Sequence, residues 1–552
     1  MRESAGLPVS SGGAARVLGA ALHQTFAADA EFTVADQRLL VARLAQALRS
    51  RQPESAVELI ETHISFVLLA GGFAYKLKKA VSLDFLDFST LARRRHFCDE
   101  ELRLNRRLAP DLYLDVVAVT GTLEAPLIDG LINDGAAVDG AAGRSAPVLD
   151  YLVRMRAFAE ADRWDLAAAR GALLPRHVDA LAERLCRFHA QAPVAGIDSG
   201  FGRPEPVRAT MLESLAALRA GLFESQDVAR LERLMAWERQ GWAAIEPALA
   251  ARLRAGRVRE CHGDLHLANL ALFDGEVLAF DCIEFNESFR WIDVMRELAF
   301  AVMDLRGHGC PDLANRLVNT YLEQSGDYDG VRVLRHYVVE RALVRARVAM
   351  LRASQVRDDP AQRAVALRQA RSYLDLALEQ GREAPVALLL THGFSGSGKT
   401  TLTQSLIESA GAIRIRADVE RKRLFGLAAN ERTRNGLNAA LYSAASTAAT
   451  YAQLRKLAMP VLAGGYTAVL DATFLQHAQR EQAMTLADAL GVPCLILDFV
   501  AAPPTLRRRV AERAARGGDA SDADLKVLQW QFETAEPLTV DERKRTFSYQ
   551  PP

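Results

Sequence analysis

The sequence predicts a two-lobed α+β domain followed by an α/β domain with a parallel sheet, on three observations. A strand pair near residue 70 leads into a long helix and a largely helical chain, which a polar loop and a small hairpin interrupt near residue 265. Gly393 to Thr400 is a glycine-rich turn between an apolar strand and a helical stretch. Beyond it, short apolar strands alternate with helices, the pattern of a parallel sheet covered on both faces.

In chain order, residues 1–55 read as a helical extension. Its amphipathic helix runs from Asp36 to Leu48, with Leu39, Leu40, Leu44 and Leu48 at helical spacing. ISFVLL and FAYKLKK are strands joined through Ala70-Gly71-Gly72, a connection short enough to close a hairpin. A helix from Thr90 to Leu108 follows, then strands at 114–120 and 148–155 with a Gly/Ala-rich loop at 134–146 between them. Helices dominate 176–250 and 289–380, separated by the polar loop and a hairpin turning at Asp274-Gly275. The charged junction 379–385 divides a domain at 56–378 from one at 386–552, whose strands are expected at 386–390, 468–472 and 494–500.

Composition narrows the function classes. The 552 residues exceed one ordinary core, half are apolar, and Lys plus Arg balances Asp plus Glu at 68 each. A neutral chain gives no general electrostatic reason to bind nucleic acid or an anionic membrane. The six cysteines include no close Cys-x-x-Cys pair, which argues against a zinc cage or disulfide framework and for a reducing, cytoplasmic setting. Neither a signal-peptide core nor an apolar run of the ~18 residues a span requires is present in the sequence.

Gly393-Phe394-Ser395-Gly396-Ser397-Gly398-Lys399-Thr400 satisfies G-x-x-x-x-G-K-S/T in its required strand-to-helix context. Gly393, Gly396 and Gly398 let the backbone curl so that its N–H groups, with Ser395, Ser397 and Thr401, face phosphate oxygens. Lys399 would reach the β/γ-phosphates, and Thr400 would ligate Mg²⁺. Asp471 ends an apolar strand, where it either completes the Mg²⁺ shell or caps a helix. Asp418 stands near Arg421, Lys422 and Arg423, and an arginine cluster at Arg507, Arg508, Arg509, Arg513 and Arg516 precedes a Gly-Gly turn. These arginines are either solvated helix faces or a lid over transferred phosphate, with Arg513 the foremost candidate.

His262-Gly263-Asp264-Leu265-His266-Leu267-Ala268-Asn269, followed after a strand by Asp281, matches a phosphoryl-transfer catalytic loop. Asp264 would accept or orient the proton of a substrate hydroxyl, while Asn269 and Asp281 would hold Mg²⁺. His262 would brace the loop. Zinc ligation by His262 and His266 is the competing reading, but Cys261 is the only suitably spaced third soft ligand and Asn269 and Asp281 are then unexplained. Upstream, FAYK resembles a V-A-I-K strand, making Lys76 the phosphate-pairing lysine, with Lys78 on the same face as the alternative. Glu101 would be its ion-pair partner, with Glu100 the alternative. No G-x-G-x-x-G precedes Lys76; Glu61-Thr62-His63-Ile64-Ser65 occupies that location.

The HGDLHxxN form resembles the aminoglycoside phosphotransferase and choline kinase group, within a protein-kinase-like fold, over about residues 55 to 375. LDYLVRMRAF is placed as the hinge between lobes, and the helix ending at His189 resembles one common in that superfamily. Residues from about 385 to 545 resemble the small P-loop kinases, such as gluconate kinase, adenylylsulfate kinase and the polynucleotide kinase group. In those families an Asp shortly after the phosphate loop contacts the accepting hydroxyl, a role that falls here on Asp418, with Arg421 placed to hold an anionic substrate. The whole resembles a bacterial group of fused proteins, an aminoglycoside-phosphotransferase-like domain followed by an AAA-type P-loop kinase. The resemblance implies ATP and Mg²⁺ as cofactors and small-molecule hydroxyls as acceptors at both sites. Two alternatives stay open: a ligand-sensing N-terminal module beside an active P-loop ATPase, and nucleic-acid end phosphorylation by the C-terminal half.

Overall fold

The computed structural model describes residues 32–51, 56–128, 147–222, 224–382, 384–428, 431, 441, 443–516 and 523–550. Residues 1–31 of the expected extension, the Gly/Ala-rich stretch 134–146 and the Gly-Gly turn at 517–518 lie outside them. Among the described residues, no helix is long and apolar enough to cross a membrane. The chain forms two compact units, Met1–Arg106 with Pro110–Ala157, and Arg107–Ala109 with Phe158–Pro552.

The first unit contains α1 (Val34–Arg51), β1 (Glu58–Glu61), β2 (Ser65–Ala70), β3 (Phe73–Lys78), the short pair β4 (Ser82–Leu83) and β5 (Leu86–Asp87), α2 (Leu91–Asn105), β6 (Tyr113–Gly121), β7 (Pro126–Ile128) and β8 (Val148–Arg156). Six strands make one antiparallel sheet in the order β1-β2-β3-β8-β6-β7. Gly71 and Gly72, at φ 58° and 78°, turn β2 into β3. That left-handed pair matches the twist of the flanking strands. Thr33 starts α1 by accepting the Asp36 N–H at 3.2 Å, while the Asp36 carboxylate accepts the Thr33 N–H at 2.9 Å. Leu40, Leu44 and Leu48 then pack on Phe66, Leu68, Leu77 and Leu152. Leu39, expected on that face, is 44% exposed because the buried stripe runs through 40, 44 and 48 with 41 and 45. Gln37 ties the helix to the sheet, donating to the Lys78 carbonyl at 2.9 Å and the Asp150 carboxylate at 2.8 Å.

The second unit begins with α3 (Trp164–Ala169), α4 (Pro175–Gln191), α5 (Pro204–Gly221) and α6 (Ser225–Arg254). Then come β9 (Val258–Glu260), β10 (Leu270–Phe273), β11 (Glu276–Ala279), α7 (Glu287–Arg290) and β12 (Trp291–Asp293). The helices α8 (Val294–Gly307), α9 (Pro311–Ser325), α10 (Val331–Gln355) and α11 (Pro360–Gln380) follow. Asp274 and Gly275, both at positive φ, close the β10–β11 hairpin where the sequence places it. Buried Arg252 on α6 is gripped by Asp293 and Asp327, each carboxylate within 2.9 Å of its guanidinium.

The remainder comprises β13 (Leu388–His392), α12 (Lys399–Ala410), β14 (Ile413–Arg416), α13 (Ala417–Leu424), α14 (Ala444–Ala463), β15 (Ala468–Asp471), α15 (His477–Ala489), β16 (Cys494–Phe499), α16 (Pro503–Arg516), α17 (Leu525–Thr534), α18 (Val540–Arg543) and β17 (Thr546–Tyr549). All five strands run parallel, in the order β14-β15-β13-β16-β17. The first of them is shifted two residues from the expected 386–390, since Thr391 extends it by bonding Ala472 through its hydroxyl at 2.6 Å. Ligands of such sheets bind beyond the carboxyl ends of the strands, where Gly393, Asp418 and Asp471 all fall.

One hydrophobic cluster runs from Trp164 and Tyr321 through Tyr328 into Ile413, Leu454 and Leu470, so packing is continuous across residues 379–385. Polar contacts reinforce it. Arg316 on α9 grips Asp179 on α4 and Glu408 on α12, all at 2.6 Å. The Asn319 side chain accepts the Arg414 N–H at 2.8 Å and donates to the Ala412 carbonyl at 2.9 Å.

Candidate active sites

The loop after β9 carries Asp264. Gly263 has φ 90°, and a Cβ there would lie 2.7 Å from the Phe289 carbonyl oxygen, so the turn needs glycine. Glu297 of α8 lies beneath it, accepting the His262 N–H at 2.8 Å and the Gly263 N–H at 2.8 Å. Burial pushes this carboxyl up, but His189 and those N–H groups prevail and hold it at about 2. His189 reaches Glu297 at 3.4 Å through one ring nitrogen and the Tyr321 hydroxyl at 2.8 Å through the other. The His262 Nε2 donates to the Phe280 carbonyl at 2.8 Å, which leaves Nδ1 to accept the Asp264 N–H at 3.3 Å. His262 thus braces the loop, as expected, and burial favours its neutral form.

Asp264 stands 3.4 Å from the His266 Nε2 and accepts from the Asn269 amide at 3.0 Å. Burial opposes its charge, yet the contact with His266 holds its carboxyl well below the usual range. Such a weak base orients an acceptor hydroxyl and takes the proton late, which suits phosphoryl transfer. The Asn269 amide nitrogen also bonds the Asp264 carbonyl at 2.9 Å, leaving the amide oxygen as the atom suited to a metal. Asp281 is exposed at φ 62°, a conformation non-glycine residues rarely hold without a local reason. Its predecessor is pinned by the Phe280 N–H to the Asn269 carbonyl at 3.0 Å. A carboxylate and an amide oxygen are the hard donors Mg²⁺ prefers, so Asn269 and Asp281 fit that ion.

In the other unit, Glu101 of α2 is fully buried and bonded by both candidate lysines, Lys76 at 2.9 Å and Lys78 at 2.6 Å. Burial would raise its carboxyl, but the two ammonium groups hold it at about 2. Lys78 is sealed over the Phe88 ring at 5.0 Å, whereas the Lys76 side chain keeps 12% exposure. Glu100 pairs instead with Arg103 at 2.8 Å. The segment at the phosphate-loop location is a closed turn, with the Thr62 N–H on the Ser65 carbonyl at 2.9 Å and Lys79 on Glu61 at 2.7 Å.

The third group surrounds a cavity of about 920 Å³. Ser395, Gly396, Gly398, Lys399, Thr400, Thr401, Asp418, Asp471 and Arg513 all line it. Gly393 and Ser397 do not belong to that lining. A Cβ on Gly393 would lie 2.6 Å from the Phe499 carbonyl oxygen, so this glycine serves close packing on β16. Ser397 is buried behind the loop, its hydroxyl 3.5 Å from the Lys399 amine. Lys399 also donates to the Gly393 and Phe394 carbonyls at 2.9 and 2.8 Å. Burial lowers its pKa to about 8 against the opposing pull of Asp471 and Asp418. The Thr400 hydroxyl meets Asp471 at 3.1 Å, so hydroxyl and strand-end carboxylate form a second oxygen-donor set suited to Mg²⁺. Arg421 pairs with Asp418 at 3.2 Å, and Arg513 donates to the Ala523 carbonyl at 2.9 Å.

Two residues of this site carry no sequence signal. Gln531 of α17 is buried on the loop, accepting the Ser395 N–H and donating to its hydroxyl, both at 3.0 Å. Arg416 lines the cavity and is held at 2.7 Å by Glu323 of α9.

Comparison with known proteins places both halves. Residues 92–334 match the "Phosphotransferase enzyme family" and residues 388–538 match the "AAA domain". Uncharacterised proteins of Mycobacterium bovis and Mycobacterium tuberculosis are 31% identical over 499 residues, covering 89% of this chain and 94% of theirs. Among solved structures, a choline/ethanolamine kinase family protein from Mesorhizobium loti aligns at 12% identity with TM-score 0.35, over 62% of this chain and 100% of that one. A gluconokinase from Sinorhizobium meliloti aligns at 19% identity with TM-score 0.22, over 31% of this chain and 84% of that one. The chain belongs to the family of the mycobacterial proteins, and it is a kinase in which a phosphotransferase domain of protein-kinase-like fold is followed by a P-loop AAA-type domain.

Proposed function

We propose that the protein is a bifunctional ATP- and Mg²⁺-dependent phosphotransferase that transfers the γ-phosphoryl group to hydroxyls of small molecules at two sites. The observation that carries this reading is shared by both modules. In each, a half-buried carboxylate, Asp264 or Asp418, accompanies an oxygen-donor set of the kind Mg²⁺ takes, Asn269 with Asp281 or Thr400 with Asp471.

Asn269 with Asp281 and Thr400 with Asp471 would hold Mg²⁺, whose positive charge would offset the negative charge of the phosphates. At the C-terminal site the phosphate loop and Lys399 cradle the phosphates, and Asp418 orients the acceptor hydroxyl. In the second unit Asp264 aligns the hydroxyl; in the first, Lys76, fixed by Glu101, is the lysine suited to pair with phosphates. The hydroxyl oxygen bonds to phosphorus as the bond to the β-phosphate oxygen breaks, and the proton passes to the aspartate and then to water. Positioning and charge complementarity supply the acceleration at both.

The test incubates the full chain with labelled ATP and a metabolite extract, comparing wild type with Asp264→Ala and Lys399→Ala. Two sets of new phosphomonoesters are expected, each lost in one variant only. A single set, lost in Lys399→Ala and spared by Asp264→Ala, would favour the other reading, a ligand-sensing N-terminal module. The self-closed turn at Thr62–Ser65 supports that alternative.

A further inference from the structure

The wall beside Asp264 is built by α8 and α10. Continuity runs from the Asp264 carboxylate to His266 at 3.4 Å, from the His266 ring to the Phe300 ring at 5.5 Å between centroids, and from Phe300 to the Arg341 guanidinium at 4.7 Å. Arg341 is 6% exposed, and its Nη2 has no hydrogen-bond partner among the described residues. Its Nε makes only long contacts, 3.5 Å to the Arg296 carbonyl and 3.9 Å to the Glu340 carboxylate.

The neighbouring carboxylates each have a shorter contact elsewhere. Glu340 is taken by Arg296 at 2.8 Å, and Glu297 is spent on the loop N–H groups. Asp304 accepts the Leu267 N–H at 2.8 Å through Oδ2, while its Oδ1 has no hydrogen-bond partner among the described residues. Arg345, one helical turn beyond Arg341, donates to the Tyr373 hydroxyl at 3.3 Å. Burial and the nearby Arg296 outweigh the support that Glu340, Asp264 and Glu297 give the Arg341 cation, while Arg345 helps keep Asp264 ionised. A buried guanidinium with an unsatisfied N–H is the arrangement that an incoming anion relieves.

We propose that Arg341, supported by Arg345, receives the anionic group of the acceptor at the Asp264 site, so that this module phosphorylates hydroxylated carboxylates or phosphate esters rather than neutral or cationic alcohols. This rests on the phosphotransferase reading of Asp264 given above and adds the substrate class. A planar fork beside an aromatic shelf discriminates in favour of oxyanions with two oxygens to offer.

The test uses the full chain with Lys399→Ala as background, so that only the Asp264 site is read. Phosphoryl transfer and binding are measured for four compounds that share the ribitol carbon skeleton: D-ribonate, ribitol 5-phosphate, ribitol and 1-amino-1-deoxy-D-ribitol. Asp264-dependent transfer to one or both anions is expected, with kcat/KM roughly 10- to 100-fold above the neutral and cationic members. Whether carboxylate or phosphate ester leads identifies the oxyanion. Arg341→Met should raise the acceptor KM by a similar factor with the ATP KM unchanged, and Arg341→Lys should restore part of it. Because Arg341 is buried, Arg345→Met is read alongside it and should move the acceptor KM in the same direction by a smaller factor.

Equal or better use of ribitol or the amine overturns the proposal. So does an effect of Arg341→Met on the ATP KM alone, which would put the arginine on the transferred phosphoryl group. A wild type that neither phosphorylates nor binds either anion overturns it as well. Transfer that persists in Asp264→Asn overturns the underlying assignment of the site instead.

Discussion

The phosphate loop is held by its own chain, whereas the loop carrying Asp264 is held from outside. Between Gly393 and Thr401, consecutive residues supply the turn, the lysine and the hydroxyl, and Gln531, Asp471 and the Thr473 carbonyl meet the loop from outside. The Asp264 loop rests on Glu297 of α8, and that carboxylate on His189 of α4 and through it Tyr321 of α9. A self-contained loop tolerates change in its surroundings but not in its own residues. A braced loop transmits damage from residues that never touch substrate.

The largest effect should come from within the phosphate loop. Lys399→Ala is expected to lower kcat of the C-terminal reaction by about 10²- to 10³-fold, as for loss of a preorganised electrostatic donor, with Asp264-dependent product formation unchanged. Steady-state assays of both products check this; a parallel loss at both sites would erase the contrast.

Next in size is the brace. Glu297→Ala strips a buried carboxylate from the N–H groups of His262 and Gly263 and should cost about 3 kcal/mol in urea unfolding. The Asp264 reaction should fall further than the C-terminal one. The wild-type Glu297 carboxyl sits at about 2, below the ordinary glutamate value of 4.5. A depressed carboxyl stabilises fully above the unfolded value, so its contribution is complete above pH 4.5 and lost as pH falls toward 2. Acid titration of wild type and variant should therefore converge at low pH.

The third separates the sites by pH. Lys399 titrates at about 8, so kcat/KM of the C-terminal reaction should fall as pH rises through that value, tenfold per unit at the limit. The Asp264 reaction should stay level there, since that carboxylate is ionised throughout. A fall at both sites would mean that the step reports on a shared group.

The smallest concerns the external support of the phosphate loop. Gln531→Ala removes two hydrogen bonds to Ser395 and should raise the ATP KM of the C-terminal reaction roughly threefold to tenfold. An effect as large as that of Lys399→Ala would show that this loop, too, depends on its surroundings.

What the sequence discloses follows the same division. Gly393 to Thr401 is legible because the loop's glycines, lysine and hydroxyl are adjacent in the chain. Asp264, Asn269 and Asp281 are legible by spacing because a short hairpin fixes their separation. The choice between Lys76 and Lys78 is not, because a period of two sends both to one face, and Glu101 bonds both. Gln531 and Arg416 are silent in sequence, since their contacts arise only from the docking of α17 on the loop and of α9 on β14. Helix α1 is visible by period, yet its tie to Lys78 and Asp150 through Gln37 depends on a sheet formed by distant strands.

Asn319 has a consequence beyond either active site. β14 is an edge strand of the parallel sheet, and an edge offers unpaired backbone groups to any passing chain. The asparagine amide imitates one rung of the missing neighbour, taking the Arg414 N–H and giving to the Ala412 carbonyl, while the Tyr328 hydroxyl covers the Arg414 carbonyl at 3.3 Å. The preceding module thus acts as a seal against aggregation. Cut away from α9, the P-loop half would keep the residues around its cavity and lose the seal on its sheet, a reason of solubility for the two to remain in one polypeptide.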